Sequence, residues 1–206
     1  MSNRKQSGHY HHGDLVNVLL ETAEAMLESR GPAGLSLREV ARSAGVSHAA
    51  PYRHFRDKAL LLQALAQRGF ERFQLAIERA ADGARQNPEQ QLVDAGVAYV
   101  RHAVRYPELS RLMFGGVMQQ VENEAGRDAA RAAFGVLEKI LHDGIAGGVF
   151  RQRDTQELAL TVWAAMHGLA MLATAGQLAA LQGNDASALD STVRVVASNV
   201  LYGIAP

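Results

Sequence analysis

The residues between Ser36 and Lys58 carry chemistry suited to a polyanion. Arg38, Arg42, Arg53, Arg56 and Lys58 stand there against Glu39 and Asp57, five cations against two anions, in a chain whose formal net charge is zero. Tyr52 and His54 add side chains able to donate to phosphate oxygens, and Lys58 lies in the first turn of a following helix, whose free amides also favour an anion. A basic patch on a neutral chain is the electrostatic footprint of a localised phosphate-binding face.

The elements that must position these groups are two short helices with a tight turn between them. Ser36 is a natural N-cap, and Glu39 three residues later makes Ser36-Leu37-Arg38-Glu39 a capping box, so a helix is expected over about 37 to 44 with Val40, Ala41 and Ala44 inward. Gly45 ends it in the left-handed conformation that a Cβ resists. Val46 seals the corner and Ser47 is expected to cap a second helix from His48 to Phe55, with His48, Ala49, Tyr52, Arg53 and His54 exposed. Such a second helix fits the major groove, its N-terminal residues against base edges. Pro51 falls inside it, lacks an amide proton and crowds the carbonyl four residues back, so the helix is expected to begin tighter or tilted. The same pattern also reads as an ordinary helical hairpin with solvated charges.

The stretch Gly34 to Leu62 resembles the DNA-binding half of the TetR family of bacterial transcriptional repressors. The residues that carry the resemblance are Leu35-Ser36-Leu37-Arg38-Glu39-Val40-Ala41, Ala44-Gly45-Val46-Ser47, Tyr52-Arg53-His54-Phe55 and Asp57-Lys58. The resemblance implies that Ser36 and Arg38 touch the DNA backbone or a base, that Ser47, Tyr52 and Lys58 clamp phosphates, and that His48, Ala49 and Ala50 lie at base edges. In the second half of the chain, Trp163-Ala164-Ala165-Met166-His167-Gly168 resembles the Trp, His, Gly signature of one subset of that family's ligand-binding domains. Trp163 and His167 are four apart and share a helical face. They read either as core with one satisfied imidazole or as part of a pocket wall.

The helical pattern extends through the chain. Asp14 to Ser29 carries Leu15, Val18, Leu19, Ala23, Met26 and Leu27 on one face and stops at Arg30-Gly31-Pro32. A long helix opens at Asp57 and ends near Asp82-Gly83. Pro88 to Tyr106 follows, with Leu92, Val93, Val97, Val100 and Val104 inward. Pro107 to about Met113, Val121 to Ile145, Asp154 to Ala175 and Ser187 to Gly203 complete the set, the last opening on a Ser187-Ala188-Leu189-Asp190 capping box. No strand signal emerges, since Val149-Phe150 between glycines is too short. About nine helices make an all-α architecture, the count the TetR resemblance also implies. The expected organisation is a three-helix helix-turn-helix domain with an N-terminal arm over 1–56, a connecting helix over 57–82, and a C-terminal ligand-binding and dimerising bundle over 83–206.

Other constellations are weaker. The chain of 206 residues has no cysteine, which removes disulfides, thiolate zinc sites and thiol nucleophiles and fits a reducing cytoplasm. The N-terminus has no apolar run, so neither a signal peptide nor a membrane span is expected there, and the apolar window Leu158 to Leu181 reads as a buried helix. His9, His11 and His12 suggest a metal, but they crowd one short arm instead of converging from two elements, and the arm reads better as lying near phosphates or the minor groove. No catalytic set emerges: no serine sits in a nucleophile turn, no glycine pattern matches a phosphate loop, and Glu122 and Glu124 point to different faces. No metal, no cofactor and no enzyme activity are therefore expected.

The apolar faces of the last two helices, Leu158, Val162, Ala165, Met166, Leu169 and Met171 with Leu189, Val193, Val196, Val200 and Leu201, suggest packing against a second copy of the chain. A two-fold dimer also suits helix-turn-helix reading, in which two heads reach major grooves roughly 34 Å or a multiple apart on a palindromic operator. The expectation is a cytoplasmic, homodimeric, ligand-responsive regulator of double-stranded DNA, most simply a repressor. Met113, Phe114, Met118, Phe134, Trp163, Met166 and His167 are the candidate wall for a small apolar ligand, since Met and aromatic side chains adapt to apolar guests. The alternatives are an architectural DNA-binding dimer with no effector, and a small metal enzyme using the N-terminal histidines.

Overall fold

A computed structural model describes residues 12–84, 86–115, 124–178 and 186–204, with backbone alone at 12–14, 186 and 204. Eight α-helices and no strand appear among the described residues: α1 His12–Arg30, α2 Leu37–Ser43, α3 Lys58–Asp82, α4 Pro88–Arg105, α5 Pro107–Phe114, α6 Glu124–Ala146, α7 Thr155–Thr174 and α8 Ala186–Ile204. Single 3-10 turns stand at Pro32–Gly34 and Pro51–Arg53. The chain divides into two compact units, Met1–Leu65 and Ala66–Pro206, and the division falls inside α3.

In the first unit, α2 begins where Ser36 accepts the Glu39 amide at 3.2 Å. Only half of the expected capping box forms, because the Glu39 carboxylate turns to Arg42. The helix ends in a Schellman turn: Gly45 sits at φ 68, its amide bonds Arg42 O, and the Val46 amide reaches back to Ala41 O at 3.0 Å. Leu19, Ala23, Leu27, Leu35, Val40, Ala41, Leu61 and Leu65 are essentially inaccessible and form a core of their own.

The segment expected as a helix from His48 to Phe55 is instead a turn at 48–50 followed by the 3-10 turn Pro51–Arg53. Pro51 explains the difference. It has no amide for the Ser47 carbonyl, which takes the Ala50 amide at 2.9 Å, and the following bonds also span three residues, Arg53 to Ala50 O and His54 to Pro51 O. Pro51 itself is fully buried.

In the second unit α4 is the central helix. It packs on α5, α6, α7 and α8, and accordingly buries Leu92, Val93, Ala95, Val97, Tyr99, Val100 and Ala103 around much of its circumference. Val104, expected inward, is exposed. Asp190, expected to close a capping box on Ser187, gives its carboxylate to Arg101 with an Nε–Oδ1 distance of 2.8 Å. Together with Arg194–Asp94 at 3.0 Å it ties α8 to α4. The α6–α7 connection closes on a second Schellman turn, with Gly148 at φ 73 and the Val149 amide on Gly144 O at 2.8 Å. That turn drives the Phe150 ring, 2% exposed, against the Gly144 backbone.

Helix α7 is long and apolar enough to cross a membrane by length and composition alone. It is nevertheless a core helix, with Leu158, Ala159, Val162, Met166, Leu169 and Ala170 buried. Leu158, Val162, Met166, Leu169 and Val193 are therefore not part of the surplus surface expected of the last two helices. The large apolar side chains left exposed on α7 and α8 among the described residues are Leu160, Leu172, Val195 and Tyr202.

Candidate functional site

Two regions answer to the sequence candidates, one in each unit. In the first, Arg38, Ser47, His48, Ala49 and Tyr52 are exposed, while Ser36, Ala50, His54 and Lys58 are partly buried. His54 departs from expectation: its Nε2 is buried with no hydrogen-bond partner among the described residues. Of the five cations counted from the sequence, Arg42 pairs with Glu39 and Arg56 with Asp57. Arg38, Arg53 and Lys58 have no ion-pair partner among the described residues and carry the net positive charge of the patch.

Asp57 has a role the sequence reading did not assign. It caps α3 by accepting the Leu60 amide at 3.0 Å, and that bond, assisted by Arg56, holds its carboxyl below the usual range against a smaller opposing effect of burial. One first-turn amide of α3, expected to be open to an anion, is therefore already taken. His9 and His11 lie outside the described residues, as does the side chain of His12.

In the second unit, α3 to α7 enclose a cavity of about 670 Å³. Met113, Phe114, Phe134, Trp163, Met166 and His167 all line it; Met118 lies outside the described residues. The wall also includes Phe70, Phe73 and Ile77 from α3 and Leu92, Gly96 and Tyr99 from α4. Edge-to-face contacts join the rings: Phe73 to Tyr99 at 4.9 Å between centroids, Phe70 to Phe114 at 5.4 Å and Phe134 to Trp163 at 6.2 Å. Glycines let two wall methionines pack against the backbone of α3 and α4. A Cβ at Gly96 would stand 2.9 Å from the Met166 sulfur, and one at Gly69 2.7 Å from that of Met113.

The polar centre of the cavity wall is Tyr99. Its hydroxyl lies 2.8 Å from His167 Nδ1 and accepts the Trp163 indole N–H at 3.3 Å. A buried hydroxyl proton needs an acceptor, and Nδ1 is the acceptor present, so Tyr99 donates to His167 and the imidazole carries its proton on Nε2. Burial raises the Tyr99 phenol well above its ordinary range, slightly offset by the Trp163 bond, and burial lowers His167 below 6.5. Both groups are neutral at pH 7. Arg127 and Arg131 of α6 also line the cavity yet are exposed, which places them at its rim.

The sequence candidates omitted Tyr99, Arg127 and Arg131. Tyr99 had a visible signal, a hydroxyl between the inward Val97 and Val100. The arginines stand four apart on the α6 face that three residues later presents Phe134, a spacing that points to a shared face without indicating a cavity.

A compact first unit with an exposed basic patch around the Gly45 turn, followed by a helical bundle around an apolar cavity, has the layout of a DNA-binding regulator. The model of bacterial regulatory proteins of the tetR family matches residues 19–65, and that of the tetracyclin repressor-like C-terminal domain matches residues 92–196. The chain belongs to the TetR family of DNA-binding transcriptional regulators. It is 30% identical over 140 residues to the nucleoid occlusion factor SlmA of Vibrio vulnificus strain YJ016, covering 68% of each chain. Among solved structures it is similar to a protein of unknown function from Rhodococcus sp. RHA1, at 37% identity and a TM-score of 0.85, covering 97% of this chain and 100% of that one. It shares the fold of the TetR family transcriptional regulator PfmR of Thermus thermophilus, at 20% identity and a TM-score of 0.68, covering 89% and 97%.

Proposed function

We propose that this chain is a ligand-responsive regulator of the Trp-His-Gly type, a cytoplasmic repressor that leaves a palindromic operator when a small, largely apolar molecule fills the second-unit cavity. The observation that carries the reading is that cavity, about 670 Å³ and walled chiefly by aromatic and aliphatic side chains, a size and lining suited to a small guest. An effector-free architectural protein has no use for such a space, and a well-packed core does not leave one. The ligand acts by binding better to a form unfit for DNA, so that occupancy shifts the population away from the operator.

On the DNA side, Ser47, Tyr52 and Lys58 hold phosphates, Ser36 and Arg38 support from α2, and His48, Ala49 and Ala50 face the bases. TetR regulators act as dimers, and Leu160 and Leu172 of α7 with Val195 and Tyr202 of α8, all exposed in the single chain, form an apolar face suited to the two-fold contact. The test begins with DNA fragments selected by the protein from a random pool. Affinity for the selected operator is then measured with and without compounds that bind the cavity. Loss of affinity on binding is expected; equal affinities with every such compound would sink the inducible reading.

A further inference from the structure

The cavity is polar at one end only. Phe134 on α6 meets Trp163 on α7, and the two helices pack on each other through the connection at residues 147–154. Neighbours joined this way run antiparallel. One turn back from Phe134 on α6 therefore lies level with one turn forward from Trp163 on α7, about 6 Å along the axes at ~1.5 Å per residue. This brings Arg131 and His167 to the same end, with Arg127 one further turn back at the rim. Leu137 lies the other way along α6.

Charge and hydrogen bonding agree with that polarity. Arg131 pairs with Asp128, whereas Arg127 has no ion-pair partner among the described residues. Arg127 and Arg131 are the only charged residues that line the cavity among the described residues, and no Asp or Glu does so. Tyr99 occupies His167 Nδ1, which leaves the Nε2 proton as a donor. A carboxylate costs a great deal to bury unpaired, but at this rim it meets a guanidinium while its apolar body enters a wall of rings and aliphatic side chains.

We propose that the ligand is a monoanionic amphiphile, an apolar body with a carboxylate-like head held by Arg127 and Arg131 at the cavity mouth. This rests on the reading of the cavity as a ligand site and adds the chemical class of the ligand.

Trp163 is the chain's single tryptophan and stands on the cavity wall, so its emission reports occupancy without a label. The full-length protein is titrated at pH 7.5 with decanoate and with 1-decanol, below their aggregation limits, alongside an Arg127→Gln, Arg131→Gln double variant. Decanoate is expected to bind roughly tenfold tighter than decanol, a difference produced by a single charge-assisted contact, and the variant is expected to lose that preference. Decanol binding to the variant with wild-type affinity shows that its cavity is intact. Equal affinities of the two probes for the wild type overturn the anionic class and leave the cavity reading standing. A decanoate preference that survives in the variant overturns the role of the arginines. Failure of both probes to change Trp163 emission overturns this inference and the ligand site together.

Discussion

The Tyr99 hydroxyl bridges two residues of α7, donating to His167 Nδ1 at 2.8 Å and accepting from Trp163 Nε1 at 3.3 Å. The Trp-His pair is thereby tied to α4, and the residues that resemble a family signature are two members of a three-membered polar unit. Tyr99→Phe keeps the ring contact with Phe73 and removes only the oxygen. It leaves the indole N–H and the imidazole nitrogen without their partner, at a cost of about 1 kcal/mol, with the larger penalty avoided because both rings are only partly buried. Thermal unfolding should fall by a few degrees, roughly 2–4 °C for a chain of this size, and Trp163 emission should shift. An unchanged melting temperature and spectrum would remove Tyr99 from its central place.

The His167 imidazole titrates below its ordinary 6.5 because burial disfavours the cation. The folded state therefore binds fewer protons than the unfolded state between the folded pKa and 6.5. This contribution to stability is complete above about pH 6.5 and is lost as pH falls through that window. His167→Gln keeps an acceptor for Tyr99 and cannot titrate. Urea midpoints for wild type and variant, compared from pH 7.5 down to pH 5, should converge as the wild type loses more. Parallel curves would show that His167 is not linked to folding.

Legibility followed the range of the interactions. The Ser36 cap, the Gly45 turn and the ends of α4 at Pro88 and Pro107 depend on residues within four positions of each other, and their side-chain types declare them. Pro51 was legible as a disturbance but not in outcome, because whether a proline tilts an α-helix or leaves a 3-10 turn depends on what receives its ring, here a buried site in the first unit. Tyr99 meets Trp163 and His167 more than sixty positions away, and no local pattern encodes that distance. Part of the surplus apolar face expected on α7 and α8 lies inside the bundle for a related reason. Periodicity identifies a stripe without naming its neighbour, and the stripe of Leu158, Val162, Met166 and Leu169 belongs to the chain's own bundle.

Gly144 and Phe150 make a contact that tolerates no added atom. A Cβ at Gly144 would lie 2.2 Å from the Phe150 ring, which is wedged by the turn behind it and buried. Gly144→Ala should gain about 1 kcal/mol of helix propensity and lose more to overpacking, which costs about 1–3 kcal/mol, so the variant is expected to be less stable. Gly135 on the same helix has no atom within 4 Å of its would-be Cβ. Gly135→Ala should therefore stabilise by up to about 1 kcal/mol. Denaturant midpoints of the two variants should move in opposite directions, and a shift of the same sign in both would show that propensity outweighs the Phe150 contact.

Lys58 and Ala49 separate the two things a DNA reader does. Lys58 stands at the start of α3 with no ion-pair partner among the described residues, while Arg42 and Arg56 are already committed to Glu39 and Asp57. A free cation that meets a phosphate releases counterions, so Lys58→Ala should weaken binding to every sequence by a similar factor and reduce the slope of log affinity against log salt by about one. Ala49 is exposed and offers a methyl group only, suited to apolar contact with a thymine methyl. Ala49→Ser should leave the salt slope unchanged and alter the ranking of selected sequences. Both readouts come from one set of titrations against two operators at several salt concentrations. A Lys58→Ala protein with the wild-type slope would place that lysine off the phosphates, and a ranking unchanged by Ala49→Ser would place the 48–50 turn away from the bases.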